Sequence, residues 1–133
     1  MLKYLLSAVV VFSSVSSFAA DCVDAKGQDI YNNPEVFTAM IKNAKSCNEA
    51  TEIANACAWG SSLDVSTAGA AFNVCAKELI KQSPNKKVSE LLVTMRNTCT
   101  AKYAKLQGTM YRSMNAYCHL SALEWILGVA TQN

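Results

Sequence analysis

From residue 33 onward, apolar residues recur every three or four positions, and no stretch alternates with a period of two. Asn33-Pro34-Glu35 reads as a helix start: a capping side chain, proline at the first helical position, an acid in the first turn. Val36, Phe37, Met40, Ile41 and Ala44 follow at helical spacing. Ser46-Cys47-Asn48-Glu49 fits a capping box, with Thr51 as an alternative start. This second helix runs through Ile53 and Ala56 to Trp59 and stops at Gly60-Ser61-Ser62. Asp64 is placed to cap a third helix, whose Ala68, Phe72, Cys75 and Leu79 share a face. Ser83-Pro84-Asn85 is a break.

Asn85 can cap a long fourth helix with Val88, Leu91, Leu92, Met95, Cys99, Tyr103 and Leu106 on one side. Lys86 and Lys87 oppose its dipole at a cost of roughly 0.3–1 kcal/mol each, partly offset by Glu90 one turn on. Gly108 ends it. Met110, Met114, Tyr117, Ser121 and Trp125 make a final helix reaching about Gly128, and its Met110, Met114 and Trp125 stripe reads as core. Short connections favour antiparallel neighbours. The expectation is an all-α fold, a compact bundle of four or five helices cross-linked by disulfides.

The first residues obey a different pattern. Lys3 precedes a short apolar run, Leu5 to Phe12, and a small, mostly polar stretch ends at Ala19 and Ala20. Those are the parts of a signal peptide, residues 1–19, with Ser17 and Ala19 at the two recognition positions. A membrane anchor is the rival, but the run is too short for ~30 Å of hydrocarbon. The organisation expected is therefore a leader, an N-terminal arm at 20–32 and one helical domain at 33–133. Cleavage would deliver a soluble product to the periplasm or the exterior. About 114 residues remain, enough for one core. Basic and acidic residues nearly balance, which gives no electrostatic case for nucleic acid or for a membrane surface. The balance is uneven along the chain: seven acids and three bases between Ala20 and Asp64, three acids and eight bases after it. Whether the two halves meet in a homodimer stays open.

Six cysteines follow the leader: Cys22, Cys47, Cys57, Cys75, Cys99 and Cys118. An even set behind a secretion signal reads as a disulfide framework. Cys99 lies nine residues before Gly108 and Cys118 ten after, so a hairpin bent at Gly108 sets them opposite each other. Cys47 and Cys57 would be ~15 Å apart in one continuous helix. They pair only if the helix starts near Thr51 and residues 47–50 fold back. Cys22 and Cys75 then pair by elimination.

Catalytic chemistry finds little support. His119 is the only histidine, and Ser121, two residues on, falls on a different face of a helix. No phosphate loop, metalloprotease motif or nucleophile elbow occurs. No cysteine pair has knuckle spacing, so no metal or cofactor is expected. Asp21, Asp24 and Asp29 lack the glycine and glutamate of a calcium loop. The chain is not expected to be an enzyme.

Two segments suit a partner instead. Trp59-Gly60-Ser61-Ser62 is a tight loop carrying one large aromatic, and Gly108 leads into Met110-Tyr111-Arg112 at the hairpin bend. Tryptophan, tyrosine and arginine are the common interface anchors. Inward packing of Trp59, and a purely structural bend at Gly108, are the alternatives.

Between Cys47 and Leu127 the order of motifs resembles the LprI-type lysozyme-inhibitor domain family of small secreted bacterial helical proteins. Cys47-x-x-Ala50-Thr51 leading to Cys57-Ala58 is similar to its opening cysteine pair. Ala70-Ala71-Phe72-Asn73 resembles its Ala-x-Leu-Asn stretch, and Arg96-Asn97-Thr98-Cys99 its Arg-Asp-x-x-Cys. Gly108-Thr109-Met110-Tyr111, Cys118 and Leu123 resemble its ending. The chain departs at Gly69, where the family has aspartate, and at Leu92 and Val93, where it has a tryptophan; Cys22 and Cys75 are additional, and the Trp59–Ser62 loop is longer. The resemblance implies binding to, and inhibition of, a peptidoglycan hydrolase. The target would be either a lysozyme or a secreted cell-wall amidase, the latter making the chain an immunity protein. The alternative is a periplasmic envelope-stress or chaperone-like protein without a hydrolase target.

Overall fold

The computed structural model describes residues 22–23, 26–27, 29–30 and 32–130. The expected leader at 1–19, like Asp21 and Asp24, lies outside them. Among the described residues the fold is made of five helices: α1 (Pro34–Lys42), α2 (Cys47–Ala56), α3 (Ser62–Gln82), α4 (Lys86–Tyr103) and α5 (Thr109–Ala130). The architecture is all-α, as the periodicity predicts.

Helix starts follow local capping chemistry. The Asn33 side chain accepts from the Val36 N–H at the head of α1. Ser46 accepts from the Glu49 N–H at the head of α2, while the Glu49 carboxylate reaches back to the Lys45 N–H at 2.7 Å. Asn85 accepts from the Lys87 N–H at the head of α4. The start of α3 differs from expectation. Ser61 is its cap, and Asp64 sits one turn inside as the third helical residue, fully buried.

Helix α3 is the axle: α1, α2 and α5 all pack on it, while α4 lies against α5. Its buried face is narrow-shouldered, with Thr67, Ala68, Ala70, Ala71 and Cys75. Small residues let neighbouring helices approach closely. Larger groups come from the partners: Phe37 and Ile41 of α1, and Leu120, Leu123, Ile126 and Leu127 of α5. On α5 the expected core stripe is reversed. Met110, Met114 and Trp125 are exposed, Trp125 at 56%. Both faces of α5 carry apolar residues, and the side that meets α3 is the leucine side. Helix α4 is an edge element in which only Cys99 is fully buried and Leu91 faces solvent; it ends at Tyr103, short of the expected Gly108, which leaves Leu106 exposed in the connection to α5.

Three disulfides close the structure. Cys99–Cys118 joins α4 to α5 with Cα atoms 5.8 Å apart, as the bend at Gly108 predicts. The other two pairings expected from the sequence, Cys47–Cys57 and Cys22–Cys75, are replaced by Cys47–Cys75 and Cys22–Cys57. The reason is where α2 begins. It starts at Cys47 rather than Thr51, so Cys47 and Cys57 stand at opposite ends of a ten-residue helix. Cys47 then meets Cys75 on α3, at a Cα separation of 4.4 Å. Cys57, the C-terminal cap of α2, meets the arm. That arm turns through Gly27, forms an antiparallel bridge between Val23 and Asp29, and buries Ile30.

The N-terminus of α2 has a second attachment. Glu78 of α3 accepts from the Cys47 N–H at 2.6 Å, placing a carboxylate on the positive end of the α2 dipole. The Tyr117 hydroxyl of α5 donates to the Ala54 carbonyl of α2 at 2.6 Å, and burial pushes its pKa up to about 12.

Peptide mapping under non-reducing conditions should recover Cys22–Cys57, Cys47–Cys75 and Cys99–Cys118. Because α4 buries so little, Cys99→Ser with Cys118→Ser should cost ~3 kcal/mol by the chain-entropy relation. Hydrogen exchange should rise along α4 before it rises in α3.

Candidate partner-binding face

Two segments that stand apart in sequence meet at one end of the bundle. Helix α2 ends at Ala56 rather than at Trp59, so the chain leaves the helix before the tryptophan. Trp59 is 68% exposed. Gly60 follows at φ +75°, a left-handed conformation that a side chain would strain. A Cβ there would also lie 3.5 Å from Met110 Cγ, the second residue of α5. The loop and the start of α5 are therefore in contact. Met110 (54%) and Met114 (44%) are exposed beyond it.

Asp64 holds this arrangement. Its carboxylate accepts from the Gly60 N–H at 2.7 Å, the Ser61 N–H at 3.2 Å and the Ser61 hydroxyl at 3.1 Å. It also accepts from the buried Ser113 hydroxyl of α5 at 2.7 Å. Burial alone would raise the carboxyl pKa, but these donors, Ser113 foremost, outweigh it and hold the group below the usual carboxylate range. One carboxylate thus shapes the loop, sits in the first turn of α3 and fastens α5 to both. Sequence reasoning treated Asp64 as a cap only. The Ser61-x-x-Asp64 spacing carries the local half of its role; Ser113, 49 residues on, carries the rest.

The other residues marked as partner-binding divide between surfaces. Gly60 and Ser61 are half-buried in the loop, and Ser62 is exposed at the first turn of α3. Tyr111 is half-buried. Arg112 is exposed and turns away from Met110, into a groove between α1, α3 and α5. Trp59, Gly60 and Met110 form a continuous face; Arg112 belongs to its neighbour.

His119 is engaged in packing. Its Nε2 lies 3.1 Å from the Arg96 carbonyl and 3.2 Å from the Thr100 hydroxyl, tying α5 to α4 beside the Cys99–Cys118 bridge. Burial and the Arg96 charge hold its pKa below the ordinary histidine value, although the carbonyl contact acts the other way. Among the described residues, no group of three or more His, Cys, Asp or Glu side chains could hold a metal ion. No described helix is long and apolar enough to cross a membrane.

No family model matches the chain, and no curated protein or solved structure is significantly similar to it.

The folded pKa of Asp64 is depressed, so its contribution is complete above the unfolded carboxyl value near 4 and lost as pH falls through the folded value. Asp64→Asn should destabilise the protein at pH 7 by ~1.5–3 kcal/mol, since buried donors lose a charged acceptor. Thermal unfolding from pH 7 to pH 2 should show a shallower acid loss in the variant than in the parent.

Proposed function

We propose that the chain is a secreted or periplasmic inhibitor that binds and blocks a peptidoglycan-degrading enzyme, acting as an immunity protein against a secreted cell-wall amidase. Blocking of a lysozyme is the nearest variant of the same reading. The observation that carries it is Trp59, a large aromatic exposed on a loop fixed by Gly60 and Asp64. A rigid aromatic anchor binds with little loss of conformational entropy. Met110, which meets the loop at Gly60, and Met114 one turn further along α5 add exposed apolar surface at the same end of the bundle. The three disulfides suit an oxidising compartment outside the cytoplasm, and so suit the leader expected at 1–19. The ordered likeness to LprI-type inhibitor domains supplies the target class. In this reading the protein acts by binding and has no catalytic step of its own.

A second reading draws on a different observation. Leu91 and Val93 of α4, Ile80 of α3 and Trp125 of α5 are also exposed. An envelope chaperone would use such side chains, brought into one contiguous patch, to hold many unfolded clients.

The test is an inhibition panel of lysozymes and cell-wall amidases with the oxidised chain, paired with a periplasmic pull-down. One stoichiometric hydrolase partner, inhibited on addition, is expected. Trp59→Ala should weaken that inhibition at least ~30-fold, the cost of removing a hot-spot aromatic. Recovery of many unrelated clients with no hydrolase inhibited would favour the chaperone reading. Unchanged inhibition by Trp59→Ala would remove the loop from the interface.

A further inference from the structure

A groove of about 880 Å³ opens beside the Trp59 face, with α3 as its floor. Lys42 of α1, Arg96 of α4 and Arg112 of α5 line it, and none of its lining residues is acidic. None of the three cations has a carboxylate partner among the described residues, where the ion pair is Lys86 with Glu90. Like charges brought to one concavity from three helices, without a counter-ion, raise the positive potential there. Arg96 is moreover held in place. Its guanidinium stacks over the Phe72 ring at 5.1 Å, so little freedom is lost when it binds.

The floor is apolar. Val65, Gly69, Phe72 and Ala116 contribute to it, and Gly69 removes a side chain from the middle of α3. A Cβ at Gly69 would meet nothing within 4 Å, so neither packing nor a left-handed backbone demands glycine there. Its absence of side chain keeps the groove open. Asn115 completes the wall, with its Oδ1 buried and without a hydrogen-bond partner.

We propose that this groove binds an acidic peptide segment of a partner protein, its carboxylates on Lys42, Arg96 and Arg112 and its apolar side chains over Gly69 and Phe72. Nucleic acid fits less well. Grooves for single-stranded nucleic acid pair basic side chains with several aromatic platforms for the bases, whereas Phe72 is the one Phe, Tyr or Trp in this lining and the chain's total charge is only +2. A lone small anion would leave the floor unused. The groove is distinct from the Trp59 face, and the proposal goes beyond the inhibitor reading: it holds whatever the partner's activity.

The experiment uses the full oxidised chain and fluorescence anisotropy at low and physiological salt. The probe is a fluorescein-labelled peptide of alternating glutamate and alanine, with a glutamine-for-glutamate peptide as its control. The glutamate peptide should bind, the control should bind about tenfold more weakly or not at all, and salt should weaken the first selectively. Lys42→Gln with Arg96→Gln should reduce affinity about tenfold, the loss of two partly exposed ion pairs. Gly69→Leu fills the groove with a good helix former at a position with room. It should abolish binding while the melting temperature is kept or raised. Equal binding of the two peptides, or full binding by Gly69→Leu, would overturn the proposal. Tighter binding of single-stranded DNA than of the glutamate peptide would overturn it in favour of a phosphate ligand. The Trp59 variant reads hydrolase inhibition and the groove variants read peptide binding, so either reading can fail alone.

Discussion

Between Thr67 and Cys75 the buried face of helix α3, on which α1, α2 and α5 lean, is made of small residues, with Asp64 and Leu79 at its two ends, and the remaining packing follows from that. A slim central stretch lets neighbouring backbones approach closely. It also limits how much apolar volume the centre can hold. Phe37, Ile41 and the α5 leucines fill the space from outside, and cross-links supplement a modest core. Helix α4 reaches this centre only with the half-buried Val88, Leu92 and Met95, and depends besides on its bridge to α5 and on the His119 contacts to the same partner.

Order at the exposed end comes from a buried charge rather than from packing. Asp64 collects donors from a half-buried loop, a helix start and a distant serine, and the buried Ser113 hydroxyl would otherwise lose its acceptor away from water. Trp59 owes its fixed presentation to groups it does not cover. Beside it, the opposite logic governs the groove, where three cations lack acids. The surface is thus divided into an aromatic, nearly uncharged face and a basic concavity, with Arg112 at their border. Partners with different chemistry could occupy the two.

Helix positions were legible because their signals are local. Asn33-Pro34, Ser46 and Asn85 cap where they stand, and Gly108 bends where it stands. What depends on a second helix was not legible. The Cys99–Cys118 bridge spans a single hairpin, so counting residues from Gly108 suffices. The other bridges depend on how α2 crosses α3 and on where the arm lies, which no spacing encodes. The α5 stripe failed for a related reason. Its methionine–tryptophan and leucine sides are both apolar, and only contact with α3 selects between them. The Trp59 loop was found as a loop, yet its contact with Met110 and its attachment through Ser113 join segments some 50 residues apart.

The two N-terminal bridges interleave along the chain: Cys22 pairs past Cys47 to Cys57, and Cys47 pairs past Cys57 to Cys75. Any single cut of the backbone between Cys22 and Cys75 therefore leaves the two pieces covalently joined. A cut in the exposed Trp59 loop is spanned by Cys47–Cys75, and one within the arm by Cys22–Cys57. The loop that presents Trp59 is thus also one where a protease can break the chain without separating it, and the aromatic side chain stays tethered to the body on whichever side of the break it falls.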